Sequence, residues 1–362
     1  MAILSRGLGR IAYEGQRPAP CPAASLRDNG RASETAARPM PAARMWINSG
    51  STRTMQDAAS PSDAKHQLLM RMLAELRPRL HRYCARMTGS AVDGEDVVQE
   101  VMLKVLESPP DIENFSMLER WLIRVAHNAA IDFLRRRARQ DANHAAEDLD
   151  MIIDPSASVD TSDTALVSLR TFMRLPALQR STVIFKDVLG YSLDEVAEFT
   201  GSSIAAVKSA LQRGRLNLRE LAKEPDDAPL PKLDAHEQKL LTAYAEHFNA
   251  RNFDAVRAML SDELRFDLVN RVRSTGKGSA ISYFGNYGRL GGWRLGLGMV
   301  DRKPALLAFD PDDVLGNPLY FLILEWAGDR VASIRDFRYA RYALEGAEVF
   351  VLGRPQQTEN QH

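Results

Sequence analysis

Two amphipathic helical patterns, SLDEVAEFT and SSIAAVKSALQRGRLNLRE, are separated by one residue, Gly201. So short a joint forces two helices to cross steeply, the arrangement of a helix-turn-helix. In the first pattern Leu193, Val196 and Ala197 share a face, Ser192 suits the N-cap with Glu195 three residues on, and Gly201 suits the left-handed turn that closes the helix. The second helix is expected to begin near Ser202 or Ser203, with Ile204, Val207 and Leu211 inward. That leaves Ser203, Ala205, Ala206, Ser209, Gln212 and Arg213 outward, flanked by Lys208 and Arg215. Small side chains on the leading turn let a helix approach base edges, and the cations behind them reach phosphates. On spacing alone, a plain hairpin with a solvated basic face is the alternative.

Composition narrows the setting. The chain has 362 residues, enough for two or three domains, with 45% hydrophobic and 26% charged residues. No apolar run approaches the ~20 residues that span a bilayer, so membrane insertion is not expected. Cys21 and Cys84 are the only cysteines, and Cys21 falls in an Ala-, Arg-, Pro- and Ser-rich segment, so no structural disulfide and a cytoplasmic setting are expected. No Cys-x-x-Cys pair or histidine cluster suggests a metal, and no cofactor is implied. The 47 basic residues balance the 47 acidic ones, whereas a free-standing DNA binder is usually basic. Binding must come from local patches, with help from a partner.

Along the chain, 1–62 lacks periodicity and reads as a disordered extension. Residues 63–140 are helical throughout, 141–163 is a polar linker, and 164–223 is a second helical block. A proline-bearing linker (224–234) leads to an α+β domain at 235–350, with 351–362 as a tail. The fold class is multi-domain: two all-α domains followed by one α+β domain.

The segment RLPALQRSTVIFKDVLGYSLDEVAEFTGSSIAAVKSALQRGRLNLRE resembles region four of bacterial extracytoplasmic-function sigma factors. Leu175-Pro176 with Arg180, Gly190-Tyr191-Ser192 with Glu195-Val196-Ala197, and Val207-Lys208-Ser209 with Leu211, Arg213 and Arg215 carry the likeness. Ala210 departs from the family's usual Arg. The resemblance implies that the second helix reads a promoter minus-thirty-five element.

The upstream block agrees independently. In DGEDVVQEVMLKVLE, Asp93 suits an N-cap, Val97, Val101 and Val105 form a core stripe, and Glu95, Asp96, Gln99 and Glu100 make an acidic patch beside Leu103. A solvated helix face, acidic near its start because of the helix dipole, would look the same. The stretch resembles the family's region two, which implies that Asp96, Gln99, Glu100, Met102 and Leu103 dock on the clamp coiled coil of the β′ subunit of RNA polymerase. Met102 stands where Phe is usual. In ERWLIRVAHNAAIDFLRRRAR, Leu122, Val125, Ala126, Ala129 and Phe133 line one face, and Arg120, Arg124, His127, Asn128 and Arg135 the other, continued by Arg136, Arg137 and Arg139. Cations beside rings suit single-stranded DNA. Trp121-Leu122 with Ala126, Asn128, Asp132 and Arg135 resembles the family's melted-promoter helix, whose preceding loop holds a flipped base. Asn114 and Phe115 fall in that loop, and stacking there must offset a few kcal/mol of unstacking.

Two helical segments and then the strand-like stretches LRFDLVN, ALLAF, LYFLILEW and RVASIRDFRY, with a turn at Gly328-Asp329, resemble the SnoaL-like, nuclear-transport-factor-2-like cone. Phe284, Trp293, Tyr320, Trp326 and Asp336 would line its pocket, although an alternating strand would instead leave Asp336 and Arg338 on a solvated face. No paired acid and base stand out, so an enzyme is not expected. The expected function is a sigma factor that binds core polymerase and both double- and single-stranded promoter DNA, with the C-terminal domain regulating in cis. A small-molecule ligand or an anti-sigma partner would be a further partner. The alternative is a polymerase-independent helix-turn-helix regulator with a small-molecule-sensing domain.

Overall fold

Ser90 starts the second helix: its hydroxyl accepts the Asp93 amide at 3.2 Å. The expected N-cap, Asp93, therefore lies inside the first turn, where its charge still faces the positive end of the helix dipole. A computed structural model describes residues 61–110, 114–141, 168–223, 232–278, 283–285, 287, 292–310 and 316–353. Residues 1–60 of the expected extension, almost all of the first linker, most of the second and the end of the tail lie outside the described residues, and the last two residues of the expected extension belong instead to the first helix. Leu68–His362 makes up one compact unit.

Helices α1 (Pro61–Thr88), α2 (Ala91–Glu107) and α3 (Phe115–Asp141) are followed by α4 (Leu169–Met173), α5 (Ala177–Val183), α6 (Leu193–Thr200) and α7 (Ile204–Lys223). A π-helical turn, Ile184–Val188, continues α5. Val97, Val101 and Val105 are buried as the four-residue spacing requires, together with Leu76, Leu80 and Leu122. Gly94 lets α2 lie against α1, because a Cβ there would stand 2.5 Å from the Ala85 backbone nitrogen. The same apolar core continues through Phe172, Val183, Phe185, Val196 and Val207, so the two helical blocks share one interior. Arg180, from the Leu-Pro-x-x-x-Arg motif, is buried and joins them by donating to the carbonyls of Met87 (2.6 Å), Met173 (3.0 Å) and Leu175 (2.9 Å). Cys84 is buried in this core.

The C-terminal domain begins with α8 (Ala235–Asn249) and α9 (Phe253–Ala258). Seven strands follow: β1 (Leu260–Leu268), β2 (Val272–Thr275), β3 (Arg294–Val300), β4 (Lys303–Phe309), β5 (Pro318–Ala327), β6 (Arg330–Asp336) and β7 (Val349–Gly353). Their order is β2-β1-β6-β5-β4-β3-β7, with β1 and β6 parallel and every other pair antiparallel. This is the expected helix pair on a sheet. The hairpin turns at Gly328-Asp329, and Leu241, Tyr244 and Phe248 of α8 enter the core.

The sheet is buried on both faces. Leu306 and Ala308 of β4, with Tyr320, Leu322 and Leu324 of β5, face the core shared with α8. Ala305, Leu307, Phe309 and Phe321 face the other way, into a second core that includes Phe337, Ala343 of the 3₁₀ turn Arg341–Leu344, and Val92 of α2. Burial on both sides is why ALLAF and LYFLIL are continuous apolar runs rather than alternating ones. The C-terminal domain thus uses the outer face of its sheet to seat on α2.

Candidate functional site

The predicted polymerase-docking helix is held along one side by the C-terminal domain. Asp301, in the β3–β4 turn, accepts the Ala91 amide at 2.6 Å with Oδ2 and the Glu348 amide at 3.0 Å with Oδ1. It thereby adds an anion to the start of α2 from another domain. Burial outweighs these two donors and raises its carboxyl to about 6. Lys303 pairs with Asp93 at 2.8 Å. Glu95 is fully buried, ion-paired to Arg77, and accepts the Tyr342 hydroxyl at 3.0 Å. Arg335 grips Asp96 with both ends of its fork, Nη2 to Oδ1 at 2.7 Å and Nη1 to Oδ2 at 3.1 Å. Arg273 donates to Gln99 at 2.5 Å and to Asp267 at 3.0 Å, the latter carboxylate also lying 3.6 Å from Arg335. Of the five predicted docking residues, Asp96 and Gln99 are therefore engaged. Glu100 is bound by Lys104 and Arg136 within the helical blocks. Leu103 stays open at 49% exposure. Met102, expected on the surface, is buried at 6%, because it falls one residue from Val101 on the core stripe. None of Asp301, Lys303, Arg273, Arg335 and Tyr342 was expected here. Their only sequence signal is the two-sided apolar character of the strands that carry or neighbour them.

On α3, Arg124, Asn128, Arg135 and Arg136 are exposed, as are Asn114 and Phe115 before and at its start. Trp121 is half-buried against the shared core. His127 corrects the expected outward face: it is buried, and its Nδ1 lies 2.6 Å from the Tyr83 hydroxyl. Desolvation lowers its pKa to about 4, so it is neutral near pH 7. Asp132 is exposed and pairs with Arg135 at 3.4 Å. Arg120 is ion-paired to Glu198 of α6, and the Tyr191 hydroxyl donates to Glu119 at 2.7 Å, so α3 and the turn-linked helices lie against each other.

The turn between α6 and α7 forms as the sequence requires. Ser192 and Glu195 make a reciprocal capping box, and Gly201 closes α6 at φ 63. Ser203 caps α7 by accepting the Ala206 amide at 3.2 Å. Ser203, Ala205, Lys208, Ser209, Gln212 and Arg213 are exposed, and Ala206 is half-buried. Ile204, expected inward, is 44% exposed, while Val207 and Leu211 are buried. Arg215 is committed to Asp187, at 2.8 Å and 2.5 Å, and is not presented outward. Ala210, where the family usually has Arg, is buried.

In the C-terminal domain Asp336 is fully buried, so the solvated-face alternative fails. Its Oδ2 accepts from Tyr283 (2.7 Å) and Tyr287 (2.8 Å), and its Oδ1 from the Arg338 amide (2.8 Å). Tyr287 and Tyr320 hydroxyls lie 3.0 Å apart. Burial raises the Asp336 carboxyl despite these donors. Phe284 and Tyr320 are buried and Trp293 and Trp326 half-buried around the same core. Trp326 does not meet Asp336 in any ring or hydrogen-bond contact among the described residues. Arg338 is half-buried over the rings of Tyr287 and Trp293.

Residues 72–140 match the sequence family Sigma-70 region 2, and residues 169–218 match Sigma-70, region 4. The ECF RNA polymerase sigma factor SigM of Mycobacterium tuberculosis is 32% identical over 143 residues, covering 40% of this chain and 71% of that protein. The chain belongs to the ECF sigma factors. The ECF RNA polymerase sigma factor SigG of the same organism is 27% identical over 263 residues, covering 66% of this chain and 69% of its own. The crystal structure of the M. tuberculosis ECF sigma factor SigJ aligns over 74% of this chain and 95% of that chain at 18% identity and a TM-score of 0.31. Sigma factors of this type bind core RNA polymerase and promoter DNA. No helix among the described residues is long and apolar enough to cross a membrane.

Proposed function

We propose that this ECF sigma factor docks on core polymerase through Asp96, Gln99, Glu100 and Leu103, and that its C-terminal domain is a non-catalytic brake on that docking, in the cytoplasm where core polymerase works. One observation carries the reading: Arg335 and Arg273 already hold Asp96 and Gln99, two of the side chains that polymerase would need. A basic surface within the chain occupies the acidic helix face that the polymerase would take. Opening frees α2 and lets it exchange one partner for another.

Promoter contacts fall to the exposed sides of α3 and α7. Arg124, Asn128, Arg135 and Arg136, with Asn114, Phe115 and Trp121, take the melted minus-ten strand. Ser203, Ala205, Lys208, Ser209, Gln212 and Arg213 take the minus-thirty-five duplex. Small residues lead and cations follow on α7, as close approach to base edges followed by phosphate contact demands. Run-off transcription with purified core polymerase tests the assignment. Asp96→Lys with Glu100→Lys is expected to abolish transcript and association with core; undiminished association would overturn it.

A further inference from the structure

Beside the buried Asp336 cluster, the C-terminal domain carries three arginines around two rings. Arg338 lies 5.2 Å from the Trp293 ring centroid and 5.8 Å from that of Tyr339. Arg341 lies 5.9 Å from Trp293, and Arg271 lies 4.7 Å from Tyr339. Arg271 and Arg341 are exposed, whereas Arg338, Trp293 and Tyr339 are half-buried, so the group forms a rim over the helix–sheet core. Among the described residues, none of these three guanidiniums has a carboxylate within ion-pair distance, although this domain pairs Arg257, Arg265, Arg273 and Arg335. Asp336, two residues before Arg338, has its oxygens taken by Tyr283, Tyr287 and the Arg338 amide. Three like charges gathered on ring faces repel one another, and ring quadrupoles offset that only in part.

One ring of the rim carries a donor without an acceptor. The Trp293 Nε1–H is buried and has no partner among the described residues. A buried donor left unmade is costly, and this one sits on the ring that Arg338 and Arg341 both overlie, so an acceptor arriving there would serve the donor and the cations together. An anion supplies one, and the forked guanidinium suits the two oxygens of a carboxylate. The Trp293 and Tyr339 rings suit a flat apolar body. Single-stranded nucleic acid offers similar chemistry, but it is held by successive bases stacked along a basic groove, and here only two rings, Trp293 and Tyr339, both half-buried, are offered.

We propose that Arg271, Arg338 and Arg341, set around Trp293 and Tyr339, form a binding site for a small planar carboxylate. The site sits in the domain that holds α2, two residues past the end of β6, the strand that carries Arg335. Its occupancy is read directly and does not depend on whether that domain acts as a brake.

Calorimetric titration of the full chain with 2-naphthoate, and with 2-naphthalenemethanol as the uncharged counterpart, tests the site. The acid is expected to bind about tenfold or more tightly than the alcohol, the size of effect a charge-assisted hydrogen bond gives. Arg338→Gln and Arg341→Gln should each weaken the acid about tenfold. Arg265→Gln, which removes an arginine paired elsewhere, should leave it unchanged. Arg341 is exposed, so its variant tests the site even if Arg338→Gln disturbs folding. Equal affinity for acid and alcohol, or no loss in Arg341→Gln, would overturn the proposal. So would displacement of 2-naphthoate by an equal concentration of an oligothymidylate, which would assign the rim to nucleic acid.

Discussion

Replacing Arg335 by Ala removes the two-pronged ion pair between the C-terminal domain and α2 while leaving Asp96 intact for polymerase. The guanidinium makes two bonds to that carboxylate, at 2.7 and 3.1 Å, and its side chain is 14% exposed against 44% for Asp96. Exposed pairs are worth about 0.2–1 kcal/mol, and breaking a fully buried pair costs about 3–5 kcal/mol. With one partner sheltered and the other half in solvent, the loss should be about 1.5 kcal/mol. Asp267 adds little to it, because Arg273 still holds that carboxylate at 3.0 Å. If the closed form dominates, apparent affinity for core falls in proportion to the open fraction, so this loss raises affinity about tenfold. Lys303→Ala breaks a single-contact pair whose Asp93 is still held by Arg137 at 3.3 Å, and should give less than about threefold. Fluorescence anisotropy of labelled protein against core polymerase measures both. Affinity unchanged or weakened in Arg335→Ala would refute the brake, since nothing else ties Arg335 to docking. Arg335→Glu with Asp96→Arg adds a separate arm: protease resistance of the closed form should return while polymerase binding stays lost.

Asp301 makes folding stability pH-dependent. Its carboxyl is raised in the folded state by burial, so its ionisation opposes folding, and the associated stability is present near pH 4 and lost as pH rises through about 6. The difference between wild type and Asp301→Asn in urea midpoint should change across that window and be flat above it. His127 acts in the opposite direction, because its folded pKa is lowered to about 4: stability present above pH 6.5 should fall as pH drops towards 4, read as steeper acid unfolding than in His127→Phe. Gly94→Ala should lower thermal stability by about 1–3 kcal/mol, because the new methyl meets the Ala85 backbone and not a side chain that can swing away. Arg213→Ala should reduce the salt slope of promoter binding by about 0.9, one phosphate contact, whereas Arg215→Ala should leave the slope and lower the melting temperature through the loss of Asp187 pairing.

The helix-turn-helix was legible because its determinants are local. Ser192, Glu195 and Gly201 specify a cap, a box and a left-handed turn from within ten consecutive positions, and the structure forms each. Facing was harder to read where one residue separates two environments. Met102 and His127 each sit beside a core position, and a small rotation of the helix decides which way they point. Arg215 looked like a free cation because Asp187, its partner, is 28 residues away and nothing nearby announces the pairing. Strand β3 went unseen since Gly296 and Gly298 break its apolar pattern, and those glycines answer to neighbours: a Cβ on Gly298 would stand 2.4 Å from Leu307.

The domain contact was hidden for a deeper reason, and the same reason makes it informative. An acidic helix face has one sequence signature whether it meets solvent, polymerase or another part of its own chain. What separates these cases lies on the other partner, here in strands whose runs Ala305–Phe309 and Leu319–Leu324 are apolar on both sides. A sheet with α8 on one face and solvent on the other would alternate. One that does not must be covered twice, and the second cover is α2 with the Arg341–Leu344 turn. The apolar contact through Val92 supplies attachment, while Asp301, Lys303, Arg335 and Arg273 set register along the helix. Charged contacts of this kind are exchangeable at modest cost, because each can be replaced by an equivalent contact to another basic surface. Attachment by apolar area and recognition by exchangeable charge is the division of labour a releasable brake requires.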